Sequence, residues 1–494
     1  MKRRHFVKSG IQLGAGLALP AVTDSFLNAA QMPADIVSMS ALALSAAIRA
    51  KQVSCTEVMQ AYLAHIHRYN PVYNAIVGMP EDASLFAQAQ DADVALSKGD
   101  YRGWMHGMPH AIKDLTATAG LRFTNGSPLF ADRIADTDGG VSASIRAAGA
   151  IFIGKTNAPE FGLGSQTYNP VFGATGSACN PALTAGGSSG GAGSGLGTRM
   201  LPVADGSDMM GSLRNPGAYN NIIGFRPSAN VMSANTGAAL PLSTSGPMGR
   251  NTADTIRLFQ TIAVQPVAAE FTPLPLQGLR IGWLGNLDNY LAMEAGVTDL
   301  CEASLATLAS AGAAVESHRL DFNLQDLWQC WTTLRHSGRG SLLQYYDNPQ
   351  THDLLKPELI WEIEESLKLG DADIASANAI RGQWMASIDT LFGANDFLAI
   401  PTAQLFPYPK DIHWPLEING RVMDTYHRWM EVTILGSLGG LPVINVPVGF
   451  DAQGRPMGMQ ILGRFGTDQQ VLEFGLAYEQ TNTFLAQQPP LVDA

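Results

Sequence analysis

An α/β fold is predicted by three features of the 494-residue sequence. From about 103 to 263, short apolar runs of strand character alternate with helical periodicity and glycine turns, as in Ala150-Ile151-Phe152-Ile153 before Gly154. Strand-like runs return at Asp396 to Pro401 and Val443 to Phe450, after a long helix-rich stretch. Apolar residues are 46% of the chain and charged residues only 15%, against about 25% in an average globular protein, so a sizeable core is available. Disordered, coiled-coil and collagen-like classes are thereby excluded.

Taken in order, residues 1–30 stand apart from the fold. A basic start, a weakly apolar stretch from Ile11 to Val22 and the small residues Ala29 and Ala30 have the layout of an export leader. Arg3-Arg4 followed by Phe6, Val7 and Lys8 resembles a twin-arginine signal, which implies a periplasmic or secreted location. Residues 31–494 are expected to form one domain. No later stretch reaches 18 uninterrupted apolar residues, so no membrane span is expected after cleavage.

Ser38 to Tyr69 predicts two helices, the second opened by a capping box at Ser54-Cys55-Thr56-Glu57 and stopped by Pro71. The α/β heart follows at 103–263. Pro266 to Gly278 reads as a connector and Leu279 to Leu284 as a strand. The stretch from about 293 to 391 reads as an inserted helical cap, and Val471 to Gln480 as a helix.

The net charge of −12, or −15 without residues 1–30, lacks the basic footprint of a nucleic-acid or anionic-membrane binder and favours small or neutral partners. A homo-oligomer is compatible with the sequence. Cys55, Cys179, Cys301 and Cys330 are scattered and form no CxxC pair. His65 and His67, two residues apart in a helix, do not share a face, and no HExxH occurs, so no metal site is expected.

Three short patterns resemble chemistry. Gly149 to Thr156 fits G-x-x-x-x-G-K-T, but its variable residues Ala150 to Ile153 suit a strand, not a loop curled around phosphate. The glycines of Gly186 to Gly197 miss the G-x-G-x-x-G spacing, and no acidic residue follows a second strand about 20 residues on, which argues against a dinucleotide cofactor. Gly187 to Gly191 fits G-x-S-x-G, with Ser189 as an elbow nucleophile and several histidines downstream, or else a tight turn before an Ala/Gly helix.

Three segments together decide among these. Gly107-Met108-Pro109-His110-Ala111-Ile112-Lys113-Asp114-Leu115, Gly186-Gly187-Ser188-Ser189-Gly190-Gly191 and Gly206-Ser207-Asp208-Met209-Met210-Gly211-Ser212-Leu213-Arg214 resemble the amidase signature family. Asn180-Pro181, Gly224-Phe225-Arg226-Pro227 and the tail Gly440-Leu441-Pro442 with Gly458-Met459-Gln460 extend the resemblance over nearly the whole chain. It implies a mixed central β-sheet sandwiched by α-helices. It also implies a Ser, cis-Ser, Lys unit, falling on Ser212, Ser188 and Lys113, with no metal or cofactor.

Physical chemistry accommodates such a unit. A serine hydroxyl needs an adjacent base, and a lysine is a base only when neutral, so burial must bring its pKa from about 10.4 to about 7 or 8. The Asp114 carboxylate should therefore point away from the amine. The resemblance places oxyanion donors on the backbone N–H groups of Met209, Met210, Gly211 and Ser212. Met210 stands where the family usually has glycine, which puts the acyl pocket and the local φ in question. Gly187, Ser189, Asp208 and Arg214 are expected to hold the loops, Arg214 through an ion pair. His110 reads as a core histidine.

The sequence thus predicts an exported amidase that cleaves a carboxamide C–N bond through an acyl-serine, releasing an acid and ammonia or an amine. The alternatives are the amidase-like component of a tRNA-dependent amidotransferase, a catalytically weak amide-binding protein, and an elbow esterase using Ser189 and a histidine. The pocket walls carry no readable motif; Trp331, Trp361, Trp384, Trp414 and Trp429 suit either core or pocket.

Overall fold

The computed structural model describes residues 36–233 and 240–493. The expected leader at 1–30 lies outside the described residues.

The helix Cys55–Tyr73 begins with the capping box: Ser54 Oγ accepts the Glu57 N–H, and Glu57 accepts the Ser54 N–H. It does not stop at Pro71 but runs two residues further, ending where Asn74 turns left-handed at φ 52°. So close to a helix end, proline removes only the one N–H it lacks. This helix, Ala41–Arg49 and Asp82–Ser97 cover a small sheet in which Pro109–Lys113 runs parallel to Ile151–Thr156 and Ile76–Val77 pairs antiparallel on the other side. The phosphate-loop lookalike is therefore a fully buried strand, as its branched and aromatic residues require.

The main sheet has eight strands in the order Ala314–Ser317, Arg280–Trp283, Phe397–Pro401, Pro456–Leu462, Val443–Phe450, Ile223–Arg226, Thr244–Gly249 and Ala204–Asp208. The first three are mutually parallel and the other pairings antiparallel, which makes the sheet mixed. Its central strands are buried along almost their whole length, as flanking helices on both faces demand.

The expected cap needs correction at its start. The helix Val297–Ser310 joins the parallel strands Arg280–Trp283 and Ala314–Ser317, so this part builds the sheet edge. Ala314–Ser317 is mostly exposed and lacks apolar alternation, hence its illegibility in the sequence. The helical layer begins at Leu324–Ser337, whose end reaches the site, and continues with Pro357–Ser366 and with Asp371–Phe392, which packs against Leu324–Ser337. All four cysteines are free thiols. No described helix is long and apolar enough to cross a membrane.

Candidate active site

Lys113 closes the buried strand Pro109–Lys113 and is 1% exposed. Its Nζ donates to Ser188 Oγ at 2.9 Å, Ser189 Oγ at 2.8 Å and Ser207 Oγ at 3.0 Å. Three hydroxyls and the Ser207 carbonyl, at 3.4 Å, meet the amine, and among the described residues no carboxylate does. Burial accordingly lowers its pKa to about 7, while the Asp205 and Asp208 carboxylates pull the other way. The adjacent Asp114 turns aside and accepts from the Thr124 N–H at 3.1 Å and from the Thr124 hydroxyl. Asp205 accepts the Lys113 N–H at 3.3 Å and pairs with His110 Nε2 at 3.2 Å, leaving His110 Nδ1 buried without a partner among the described residues.

Ser188 follows a cis peptide bond from Gly187, whose carbonyl accepts from Ser165 Oγ at 2.8 Å. The helix Gly190–Gly197 starts two residues on, and a Cβ at Gly191 would lie 2.2 Å from the Asn157 nitrogen. Only glycine lets this helix approach so closely. The Ser189 N–H donates to the Ser212 carbonyl at 3.3 Å, tying the two serine segments together.

Ser212 lies beyond the strand Ala204–Asp208 and just before the helix Arg214–Tyr219. Ser188, Ser207 and Ser212 line a cavity of about 100 Å³ together with Met209, Met210, Arg335 and Arg339. No hydrogen bond joins Ser188 to Ser212 among the described residues; they share the cavity, and such contacts commonly tighten only when substrate binds.

Asp208 fixes the turn that carries Ser212. Its carboxylate accepts the N–H groups of Gly211 at 2.9 Å and Leu213 at 3.1 Å, and takes a two-pronged ion pair from Arg214 at 2.8 and 2.9 Å. Burial alone would raise this carboxyl; Arg214, Arg226 and the Leu213 N–H more than offset that and hold it well below the usual range. Arg214 also reaches the Thr433 carbonyl and Ser437 Oγ, both at 2.9 Å. One expected oxyanion donor is corrected here, because the Gly211 N–H is already spent on Asp208. The N–H groups of Met209, Met210 and Ser212 have no partner among the described residues. The left-handed conformation falls on Gly211, at φ +83°, while Met210 keeps a negative φ, so methionine is tolerated there.

Several groups were not legible in the sequence. Ser207 lies inside a recognised segment, but nothing distinguished it from its neighbours. Arg335 and Arg339 come from the helical layer, more than a hundred residues away in sequence. His336, Glu362 and His427 bring ligand-type atoms within 4.8 Å of one another, yet the Glu362 carboxylate is taken by Arg335 and Arg339, so the set is an ion-pair cluster and not a cation site. Trp331, Trp384 and Trp429 are core, whereas Trp361 and Trp414 line a separate surface cleft.

A buried lysine among serine hydroxyls on a mixed α/β scaffold goes with the class that the family match shows, the amide C–N hydrolases. The chain belongs to the amidase family, whose model, described as Amidase, matches residues 57–472. It is 29% identical over 471 residues to an acylamidase of Rhodococcus erythropolis, covering 91% of this chain and 97% of that protein. It is 31% identical over 506 residues to one of the subunits of the glutamyl-tRNA(Gln) amidotransferase of Thiobacillus denitrificans, covering 93% and 99%. Among solved structures it resembles a bacterial aryl acylamidase of the amidase signature family, with TM-score 0.83, 24% identity and coverage of 91% and 98%, which establishes the fold.

Proposed function

We propose that the chain hydrolyses a small carboxamide through an acyl-Ser212 intermediate. The supporting observation is a buried Lys113, its pKa lowered to about 7, hydrogen-bonded to Ser188 in a cavity shared with Ser212. Neutral Lys113 takes the Ser188 proton as Ser188 takes that of Ser212, and Ser212 Oγ attacks the carbonyl carbon. The free N–H groups of Met209, Met210 and Ser212 are the candidate donors to the oxyanion. The proton returns through Ser188 to the leaving nitrogen and the C–N bond breaks. Water then attacks the ester by the same relay, so that amide and water give acid and amine.

Fluorophosphonate labelling with mass spectrometry tests this. An adduct on Ser212 that is lost in Ser212→Ala and Lys113→Ala supports it, and an adduct on Ser189 points to the elbow esterase. The 31% identity to an amidotransferase component favours a second reading, tested by whether the isolated chain releases ammonia from glutamine. Absence of both adduct and turnover of an amide panel would favour the amide-binding protein. Export rests on the twin-arginine pattern at 1–30 and is tested by cell fractionation of chains with and without Arg3→Lys and Arg4→Lys.

A further inference from the structure

Resting on the amide-hydrolase reading, we propose that the substrate is an amide bearing a carboxylate, such as the monoamide of a dicarboxylic acid, whose anion docks on Arg335 and Arg339. The hydrolysis balances as monoamide carboxylate plus water giving dicarboxylate plus ammonium.

The argument starts from charge. Arg335 sits in the last turn of Leu324–Ser337 and Arg339 just beyond its end, before the short turn Gly340–Leu342. Both line the cavity that holds Ser188 and Ser212, and no carboxylate among the described residues lines it. Behind them Glu362, fully buried, takes the Nε–H of Arg335 at 2.5 Å on one oxygen and that of Arg339 on the other. Two guanidinium groups share one carboxylate, leaving a surplus positive charge at the cavity wall. His336 and His427, next to this cluster, are kept neutral by burial and add no charge.

The donor inventory points the same way. A guanidinium offers five N–H donors in a plane, and a buried one ordinarily has them paired. Arg335 gives Nη2 to Tyr426 Oη at 2.7 Å, but its Nη1 meets only the Met209 thioether at 3.2 Å, a weak acceptor on the very loop that leads to Ser212. The Arg339 Nη atoms have no hydrogen-bond partner among the described residues. The Glu362 clamp holds the two forks in place while unspent donors remain for a planar anion, the geometry in which arginine recognises carboxylates.

The test separates binding from turnover. Calorimetry on Ser212→Ala compares succinamate, the monoamide of succinic acid, with neutral butanamide; wild-type kcat/KM is measured for the same pair. At least tenfold tighter binding and tenfold higher kcat/KM for succinamate are expected, with succinate a competitive inhibitor. Arg339→Gln, at the less buried of the two positions, should abolish the preference, and Arg339→Lys should restore part of it while raising KM more than it lowers kcat. Equal or better binding of butanamide, or a preference untouched by Arg339→Gln, overturns the proposal. Hydrolysis of butanamide without acid preference would sink this inference alone, whereas tight succinamate binding without turnover by wild type would sink the hydrolase reading and leave the carboxylate site standing.

Discussion

Lys113 Nζ lies 2.9 Å from Ser188 Oγ with no carboxylate among the described residues in contact with it, so the amine is set by desolvation and not by an ion pair. The rate consequence has a definite sign. A base must be neutral to act, and with its pKa lowered to about 7, kcat/KM for a neutral amide should rise with pH through about 7 and level off above it. Lys113→Ala should lose at least about 10³-fold, and Lys113→Arg no less, since a guanidinium does not deprotonate. A profile that falls through neutrality would disprove a lysine base.

The same burial burdens the fold. An unfolded lysine titrates near 10.5 and the folded one at about 7, so between these values the unfolded chain holds a proton that the native chain has shed. Stability should therefore rise with pH across this window, and at pH 7 the penalty is on the order of 5 kcal/mol. Lys113→Met removes it but leaves three hydroxyls without their donor, each worth about 1 kcal/mol. The variant should be inactive yet more stable by roughly 1–3 kcal/mol at pH 7, its advantage vanishing toward pH 10. Denaturant melts at several pH values measure both.

The three serines should separate. Ser212→Ala is expected to lose more than about 10³-fold, and Ser188→Ala about 10²-fold to 10³-fold, because it carries the relay. Ser189 accepts from Lys113 at 2.8 Å and orients the amine, so Ser189→Ala should cost about tenfold. The elbow-esterase alternative inverts the order, with Ser189→Ala the dead variant. No histidine among the described residues lines the cavity, so His427→Gln and His336→Gln should retain turnover.

What could be read from sequence was local. Lys113, Ser188 and Ser212 each sit in a short segment with its own glycines or strand, and the strand Val443–Phe450 announces itself as an apolar run bounded by Pro442 and Asp451. The wall of the pocket is not local: Arg335 and the Glu362 and Tyr426 that hold it from behind come from two helices and a turn and meet only through packing, and the helices that carry Arg335 and Glu362 show only ordinary amphipathic spacing. The Gly211 N–H, expected to face the oxyanion, is spent on Asp208 for a similar reason. Whether a backbone donor is free depends on where the Asp208 side chain swings, which spacing does not encode.

Asp208 and Arg214 form a fully buried pair, and breaking such a pair costs more than its formation gains, because the remaining charge stays buried. Asp208→Asn should destabilise by about 3–5 kcal/mol, leaving Arg214 and Arg226 uncompensated, and should loosen the turn that presents Ser212. Since the folded carboxyl is held well below its usual value, its stabilising contribution is complete above about pH 4 and is lost only as pH falls through the depressed value. Wild type should resist mild acid in this respect, and thermal melts of wild type and Asp208→Asn should converge only at strongly acidic pH.

Met210 and Gly211 offer the sharpest contrast between neighbours. A Cβ at Gly211 would lie 2.7 Å from Thr433 Cγ2 on a backbone at φ +83°, so Gly211→Ala carries both a clash and a conformational penalty. It should cost about 1–3 kcal/mol and, by displacing the N–H groups beside it, lower kcat more than it raises KM. Met210, 4% exposed with a negative φ, fills space and stores no strain. Met210→Ala should cost about 2–5 kcal/mol of stability but enlarge the acyl cavity, shifting the kcat/KM preference toward bulkier acyl groups. Kinetics over a series of lengthening acyl amides checks this: if the preference does not move while stability falls, the methionine is core filler and does not set the acyl limit.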